Sequence, residues 1–155
     1  MLLDLQVSKS VIINSSIENV WFILTNPEHI KQYLFGTETI TDWNVGSKIV
    51  FQGVYNDHHY QDHGQILENI PETKIAYSYW SVFTGMEDKP ENYSTISYTL
   101  KKIGANQTEF TWTQQGFSNE EGYSHSENSM DELLNSIKRI AEEYNKIQPN
   151  IILNI

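Results

Sequence analysis

The densest group of side chains that could do chemistry lies in a short polar stretch near the middle of the chain. Residues 57–63 contain three histidines and two carboxylates. On a strand, His59 and His63 would share one face, so two imidazoles could reach one metal ion. No third ligand stands at a recognisable spacing, and the sequence has no HExxH motif. The other interpretation is a solvated hairpin rim, and we predict no metal site and no cofactor.

A catalytic carboxylate is the second kind of chemistry that the sequence allows. Glu68 shares strand parity with Ile66, so it lies either inside, where it could act as a general base, or outside as an ordinary strand acid. The chain has no cysteine, which excludes disulfides, thiolate metal sites and cysteine nucleophiles. It also lacks the G-x-S-x-G, P-loop and Rossmann motifs. We therefore predict no catalytic residue.

Aromatic side chains at alternating strand positions indicate a third kind of chemistry, the binding of a small molecule. The chain contains nine Tyr, six Phe and four Trp. The residues predicted to face a central cavity are Phe51, Tyr77, Tyr79, Ile96, Tyr98, Phe110, Trp112 and Gln114 on strands, and Met130, Leu134 and Ile137 on a helix. An apolar wall with a few polar groups is typical of small-molecule sites. The alternative is a solid core in which buried Tyr hydroxyls reach one another or solvent.

A long amphipathic helix must supply one wall of that cavity. Between residues 129 and 146, apolar side chains recur at steps of three and four, so they share one stripe of an α-helix. Ser129 and Glu132 can form a capping box at its start. Pro149 cannot donate a backbone hydrogen bond, so we predict that the helix ends before it.

Most of the remaining chain is predicted to be strand. Alternation predicts strands over residues 3–13, 48–54, 60–70, 74–83, 92–102 and 108–115. The helical spacing of apolar residues predicts short helices over 17–25 and 27–34. The economical packing is an α+β fold, in which a curved antiparallel sheet wraps around the long C-terminal helix. We expect one domain over residues 1–146. An apolar tail over 147–155 could then add an edge strand, cover a groove or meet a partner.

The charge of the chain argues against two classes of partner. Its net charge is −10, from 20 acidic and 10 basic residues, which opposes binding to nucleic acid and to anionic membranes. No segment approaches the ~20 apolar residues of a membrane span. The N-terminal sequence lacks the basic region and long apolar run of a signal peptide. We therefore expect a cytoplasmic protein.

Four local strings carry a resemblance to a known family. They are INSSIENVWFILTNPEHI at residues 13–30, DWNVG at 42–46, GQILE at 64–68 followed by Pro71, and the last strand at 108–117. In this order they resemble the START/Bet v 1-like (SRPBCC) superfamily, in the branch of activator of Hsp-90 ATPase homologue-like domains. The resemblance spans residues 5–146 and implies a helix-grip fold, with a cavity between sheet and helix that commonly holds apolar or aromatic molecules. Met130 stands where that family often has Trp, and a flexible thioether there would give the pocket a different shape.

The functional prediction is therefore a binding protein. We expect an apolar or aromatic small molecule, such as a lipid or a polyketide, in the central cavity, with no chemistry performed on it. Two alternatives stay open. One is a protein-interaction module that regulates a chaperone ATPase or forms a homodimer, and the other is a cyclase- or hydrolase-type enzyme that uses the same cavity.

Overall fold

The computed structural model describes the backbone of residues 1–153 and the side chains of residues 1–147. In chain order the elements of this part are β1 (Leu3–Ile13), α1 (Ile17–Thr25), α2 (Pro27–Tyr33), β2 (Glu38–Ile40), β3 (Lys48–Tyr55), β4 (His58–Ile70), β5 (Lys74–Tyr79), β6 (Ser94–Gly104), β7 (Gln107–Phe117) and α3 (Glu120–Leu153). Two single 3-10 turns, Val82–Thr84 and Pro90–Asn92, join β5 to β6. No helix among the described residues is long and apolar enough to cross a membrane.

The described strands form one antiparallel sheet in the order β1-β7-β6-β5-β4-β3-β2. The sheet curves around α3, which packs on β1 and β7, and α1 and α2 close one end. This arrangement confirms the predicted helix-grip fold. The core between the layers is apolar and includes Ile13, Val20, Ile23, Leu24, Tyr33, Ile75, Phe110, Leu134, Ile137 and Ala141.

The two short helices form where their caps predict them. Ser16 accepts a hydrogen bond from the Asn19 N–H at 3.2 Å, which satisfies a free donor of the first turn of α1. Asn26 ends α1 and also caps α2, because its Oδ1 accepts from the N–H groups of Glu28 and His29. Pro27 occupies the first position of α2, where a proline costs no hydrogen bond.

The long helix was predicted at the right place but with wrong ends. It begins at Glu120 rather than 129, because Asn119 accepts from the Gly122 N–H at 2.8 Å and two acids occupy the first turn. It also continues to Leu153, past Pro149. A proline in a helix interior removes one N–H donor and destabilises the helix by about 3 kcal/mol or more, but this helix does not end there. The predicted tail over 147–155 thus starts inside α3. Its residues 154 and 155, and the side chains from 148 onward, lie outside the described residues.

The hairpin between β3 and β4 corrects the assignment of the histidine stretch. Asn56 and Asp57 both have positive φ, at 49° and 64°, which is typical of a tight two-residue hairpin turn. His58 and His59 therefore lie in β4 rather than in the turn. The next strand, β5, ends at Tyr79 instead of residue 83, because Ser81 accepts from the Phe83 N–H and starts a 3-10 turn.

A bulge in β4 reverses the side-chain parity that the sequence predicts for its second half. The pairing with β5 slips between Ile66 and Glu68, so Leu67 has no partner and the two residues flanking it face opposite sides. Ile66 is buried, whereas Glu68 pairs with Lys74 at 3.1 Å and keeps 40% of its side chain exposed. The inward orientation considered for Glu68 is therefore wrong, because simple alternation does not survive a bulge.

Gly64 makes the bend of β4 sterically feasible. A Cβ at this position would lie 1.6 Å from the carbonyl oxygen of Ser78 on β5. Real Cβ atoms do not approach a backbone oxygen so closely, so any other residue would push β4 and β5 apart. The two strands remain joined on either side of this point, through the His63–Trp80 bridge and the Ile66–Tyr77 pair.

Gly64→Ala should destabilise the fold by roughly 1–3 kcal/mol, the range for forced overpacking of a well-packed region. Urea unfolding monitored by circular dichroism would measure the change. Gly104→Ala is the matched control, because a Cβ there meets nothing within 4 Å. Equal free energies of unfolding for the two variants would contradict the steric role of Gly64.

Candidate functional site

A cavity of about 260 Å³ opens between the inner face of the sheet and the loop that joins α2 to β2. Its wall is mostly aromatic and aliphatic, with a few polar groups, and consists of Leu34, Phe35, Thr37, Phe51, Asp62, Tyr77, Tyr79, Ile96, Trp112 and Gln114. Six of the predicted site residues line it: Phe51, Tyr77, Tyr79, Ile96, Trp112 and Gln114. A pocket with this composition is suited to a small apolar molecule with one or two polar groups.

The strand register explains why these side chains meet. Tyr77 on β5 lies opposite Ile96 on β6, and Ile96 lies opposite Gln114 on β7. Residues directly opposite one another in an antiparallel sheet point to the same face, so the three side chains form one row across the sheet. Phe51 and Asp62 are likewise paired between β3 and β4. Two rows therefore meet at the cavity from the two halves of the sheet.

The remaining five predicted residues lie in the packed core and do not line this cavity. They are Tyr98, Phe110, Met130, Leu134 and Ile137, all of them buried. The Trp112 ring separates some of them from the open space, since its centroid lies 4.5 Å from that of Tyr98. The cavity is therefore displaced from Met130 toward the α2–β2 loop. Contact of these five residues with a ligand stays a prediction.

A pair of buried tyrosines marks the limit of the cavity on the core side. The hydroxyls of Tyr77 and Tyr98 lie 2.8 Å apart and hydrogen-bond to each other. Burial raises the pKa of both side chains above the usual value, so both stay protonated. This half of the inner face follows the solid-core alternative, in which tyrosine hydroxyls satisfy one another.

Asp62 is the acidic residue of the cavity wall and one of the four lining residues that the sequence did not predict, the others being Leu34, Phe35 and Thr37. Its side chain is 6% exposed and its Oδ2 accepts a hydrogen bond from the Tyr79 hydroxyl at 2.6 Å. Its Oδ1 is buried and accepts no hydrogen bond from the described residues. Burial, with the nearby Asp62 charge, raises the pKa of the Tyr79 hydroxyl and keeps it a neutral donor. Strand parity with Ile66, four residues later, was the signal that could have found Asp62.

The entrance of the cavity is formed by a loop that no periodic pattern could identify. Phe35 lines the cavity yet is 77% exposed, and it has a positive φ of 52° next to Gly36 at 94°. Thr37 anchors the end of this loop, because its hydroxyl lies 2.6 Å from the Tyr60 hydroxyl on β4. The loop thus holds one aromatic ring at the boundary between cavity and solvent.

A second recess of about 400 Å³ shares Tyr79 and Gln114 with the first. It lies between the start of α3 and the turn after β5, where Gly122, His125 and Ser126 face it. The two shared side chains place the recesses next to each other on the inner side of the sheet. Movement of Gln114 would therefore change the volume open to a ligand.

His63, one residue after Asp62 in β4, lies on the opposite, outer face of the sheet. His63 Nε2 lies 2.9 Å from Asp88 Oδ2, and the Tyr93 hydroxyl donates to Asp88 Oδ1. The His63 ring stacks between Trp80 and Tyr93, with centroids 5.4 and 6.1 Å away. The hydrogen bond from Tyr93, with a smaller effect of His63, lowers the pKa of Asp88. His63, Asp88 and Tyr93 line an open groove of about 720 Å³.

The metal hypothesis has no geometric support in the described part of the chain. His59 is exposed and His63 pairs with Asp88, so the two imidazoles have different surroundings. No group of three His, Asp or Glu side chains among the described residues is placed to hold a metal ion.

Removing one hydroxyl of the Tyr77–Tyr98 pair should cost more than removing both. Tyr77→Phe leaves the Tyr98 hydroxyl buried without its partner, and an unsatisfied buried group costs roughly 1–3 kcal/mol. The double Tyr77→Phe/Tyr98→Phe variant should therefore be much more stable than the sum of the single changes predicts, as measured by urea unfolding. In a control cycle, Tyr77→Phe and Tyr123→Phe should be additive. Additivity for the buried pair would contradict their coupling.

Comparison with known proteins places these features in a family context. A family model described as Activator of Hsp90 ATPase homolog 1-like protein matches residues 14–142. The solution structure of ChR145 from Cytophaga hutchinsonii is similar, with 36% sequence identity, a TM-score of 0.78, and coverage of 93% of this chain and 98% of that chain. No curated protein matches the chain.

Two more distant structures share the fold alone. The crystal structure of MLL2253 from Mesorhizobium loti has 16% identity, a TM-score of 0.72, and coverage of 90% of this chain and 98% of that chain. The solution structure of an Aha1 dimer from Colwellia psychrerythraea has 18% identity, a TM-score of 0.68, and coverage of 89% and 96%. At these identities the likeness concerns the backbone architecture and not the contents of the cavity.

Proposed function

The chain belongs to the family of Activator of Hsp90 ATPase homolog 1-like proteins, within the START/Bet v 1 superfamily, and from this premise we propose that it binds one small aromatic molecule in its central cavity. The observation that carries the proposal is the composition of the cavity wall. Five of its ten side chains are aromatic, and the polar groups of Asp62 and Gln114 interrupt an otherwise apolar surface. Ring-lined sites of this kind gain affinity from burial and orientation from the polar groups.

The cavity volume favours a compact ligand over a long lipid chain. An apolar cavity of roughly 150 Å³ is enough to bind benzene. At about 260 Å³, the cavity suits a molecule with one or two rings. The adjoining recess of about 400 Å³ extends this space if Gln114 moves. Among the lipids and polyketides expected from the sequence, we therefore propose the smaller, aromatic compounds as ligands.

Binding without chemistry is the function that the surroundings of the cavity support. Glu68, the carboxylate considered as a base, lies outside the cavity and pairs with Lys74. The acid in the cavity wall, Asp62, is next to the neutral hydroxyl of Tyr79 rather than to a histidine or a lysine. A general acid needs a pKa near the working pH, and burial with the nearby Asp62 raises the pKa of the Tyr79 hydroxyl well above that range.

A thermal-shift screen of one- and two-ring aromatic compounds tests this proposal. A ligand present at 100 times its dissociation constant stabilises the folded state by about 2.7 kcal/mol, so hits should raise the melting temperature clearly. Ile96→Trp should abolish the stabilisation, because the larger side chain occupies the cavity that Ile96 lines.

Thr99→Trp is the matched control for that variant. Thr99 lies on the same strand but is exposed, so its indole adds bulk without filling the cavity. This variant should keep the ligand-induced shift of the unmodified chain. If no compound stabilises the chain, or if Ile96→Trp responds like Thr99→Trp, the cavity is not the binding site.

A further inference from the structure

We propose that the molecule bound in the central cavity carries a protonated amine, held by Asp62 against the surrounding aromatic rings. This inference rests on the proposed function, since it concerns the ligand of the same site. It adds the chemical class: an aromatic amine whose ammonium group meets the carboxylate while its ring occupies the apolar part of the cavity. Three features of the molecule support this class of ligand: the partners of the carboxylate, the rings of the cavity and the charge of the whole chain.

The first feature is the incomplete set of partners around Asp62. The carboxylate is buried in the cavity wall and receives one hydrogen bond, from the Tyr79 hydroxyl to Oδ2. Its Oδ1 has no hydrogen-bond partner, and Asp62 forms no ion pair with any side chain described here. A buried carboxylate is costly unless it is paired and hydrogen-bonded. A ligand ammonium would supply both the charge and the missing donor.

The second feature is the ring composition of the same cavity. Phe51 lies 5.5 Å from Tyr77 and 5.7 Å from Tyr79 between ring centroids, so three rings converge beside Asp62, the strand partner of Phe51. Trp112 completes the aromatic part of the wall. The faces of aromatic rings attract cations, most strongly in desolvated sites. A neutral head group would gain less from these faces than a cation, and an anionic one would be repelled by them.

The third feature is the charge of the whole chain. With a net charge of −10, the protein attracts cations and repels anions over distances of about a Debye length, ~10 Å at 0.1 M salt. The entrance beside Phe35 and Thr37 has no cationic side chain among its lining residues. An aromatic acid would therefore face repulsion both on approach and at Asp62, whereas an amine is favoured at both stages.

The test compares three probes of nearly the same size and shape: 2-phenylethylamine, 2-phenylethanol and 3-phenylpropionate. Isothermal titration calorimetry at pH 7 and low salt would measure their affinities. We expect the amine to bind at least tenfold more tightly than the alcohol, and the acid to bind weakest. Asp62→Asn should remove this preference, because the amide keeps the shape and can still accept from Tyr79 but carries no charge.

Asp57→Asn is the matched control, since it removes the same charge from the exposed turn at the end of the same hairpin. This variant should keep the preference for the amine. The inference is overturned if the alcohol binds as tightly as the amine, or if Asp62→Asn retains the preference. In either case other aromatic ligands could still bind, and the proposed function would stand. Failure of all aromatic compounds would overturn both.

Discussion

The structure depends on how β4 bends beside β5. Two features of this strand make the bend: Gly64, whose missing side chain lets the backbone of Ser78 approach, and the bulge at Leu67. Before the bulge, alternate residues place Asp62 and Ile66 on the inner face. After it, Glu68 lies outside with Lys74. A strand without these features would have only the ordinary twist, whereas the bulge adds the local bend that brings β3 and the first half of β4 toward the cavity.

The inner face of the sheet is divided into a solid part and a hollow part. On the solid side, α1 and α3 fill the space with aliphatic residues, as at Leu24 and Ile137, both fully buried. On the hollow side, the loop after α2 lies over the sheet in place of a helix. Its side chains do not fill the space beneath it, and the cavity remains there. The hydroxyl pair of Tyr77 and Tyr98 lies at the boundary. Because each hydroxyl satisfies the other, polar groups are buried there without needing water from the cavity.

The sequence predicts the parts of this fold that depend on local patterns. Strand alternation and helix capping locate six of the strands and both short helices, because their signals are carried by neighbouring residues. The three-residue strand β2 is too short to show alternation. The early start of α3 depends on the Asn119 cap. The first turns of the helix are polar, so no apolar periodicity marks them as helical. The parity reversal at Leu67 depends on pairing with β5, which no local pattern reveals.

Local sequence patterns predict only part of the candidate site, for the same reason. Six of the predicted residues line the cavity, as their strand parity predicts. Whether an inward side chain meets the cavity or the packed core depends on the elements that cover it, and Tyr98 and Met130 lie in the packed core. Asp62 is adjacent in the chain to the histidines and is grouped with them on that basis, although strand alternation places Asp62 and His63 on opposite faces.

The two acidic groups that result from this separation differ in how their charge is satisfied. On the outer face, Asp88 is exposed, accepts hydrogen bonds from Tyr93 and lies beside His63, so solvent and protein groups both stabilise its charge. On the inner face, Asp62 has the single hydrogen bond from Tyr79, whose proton is held more firmly because of burial and the nearby carboxylate. Tyr79 orients Asp62 but cannot neutralise it. A ligand cation of the kind proposed above would balance the charge that the described side chains leave without an ion pair, and its binding would stabilise the folded chain.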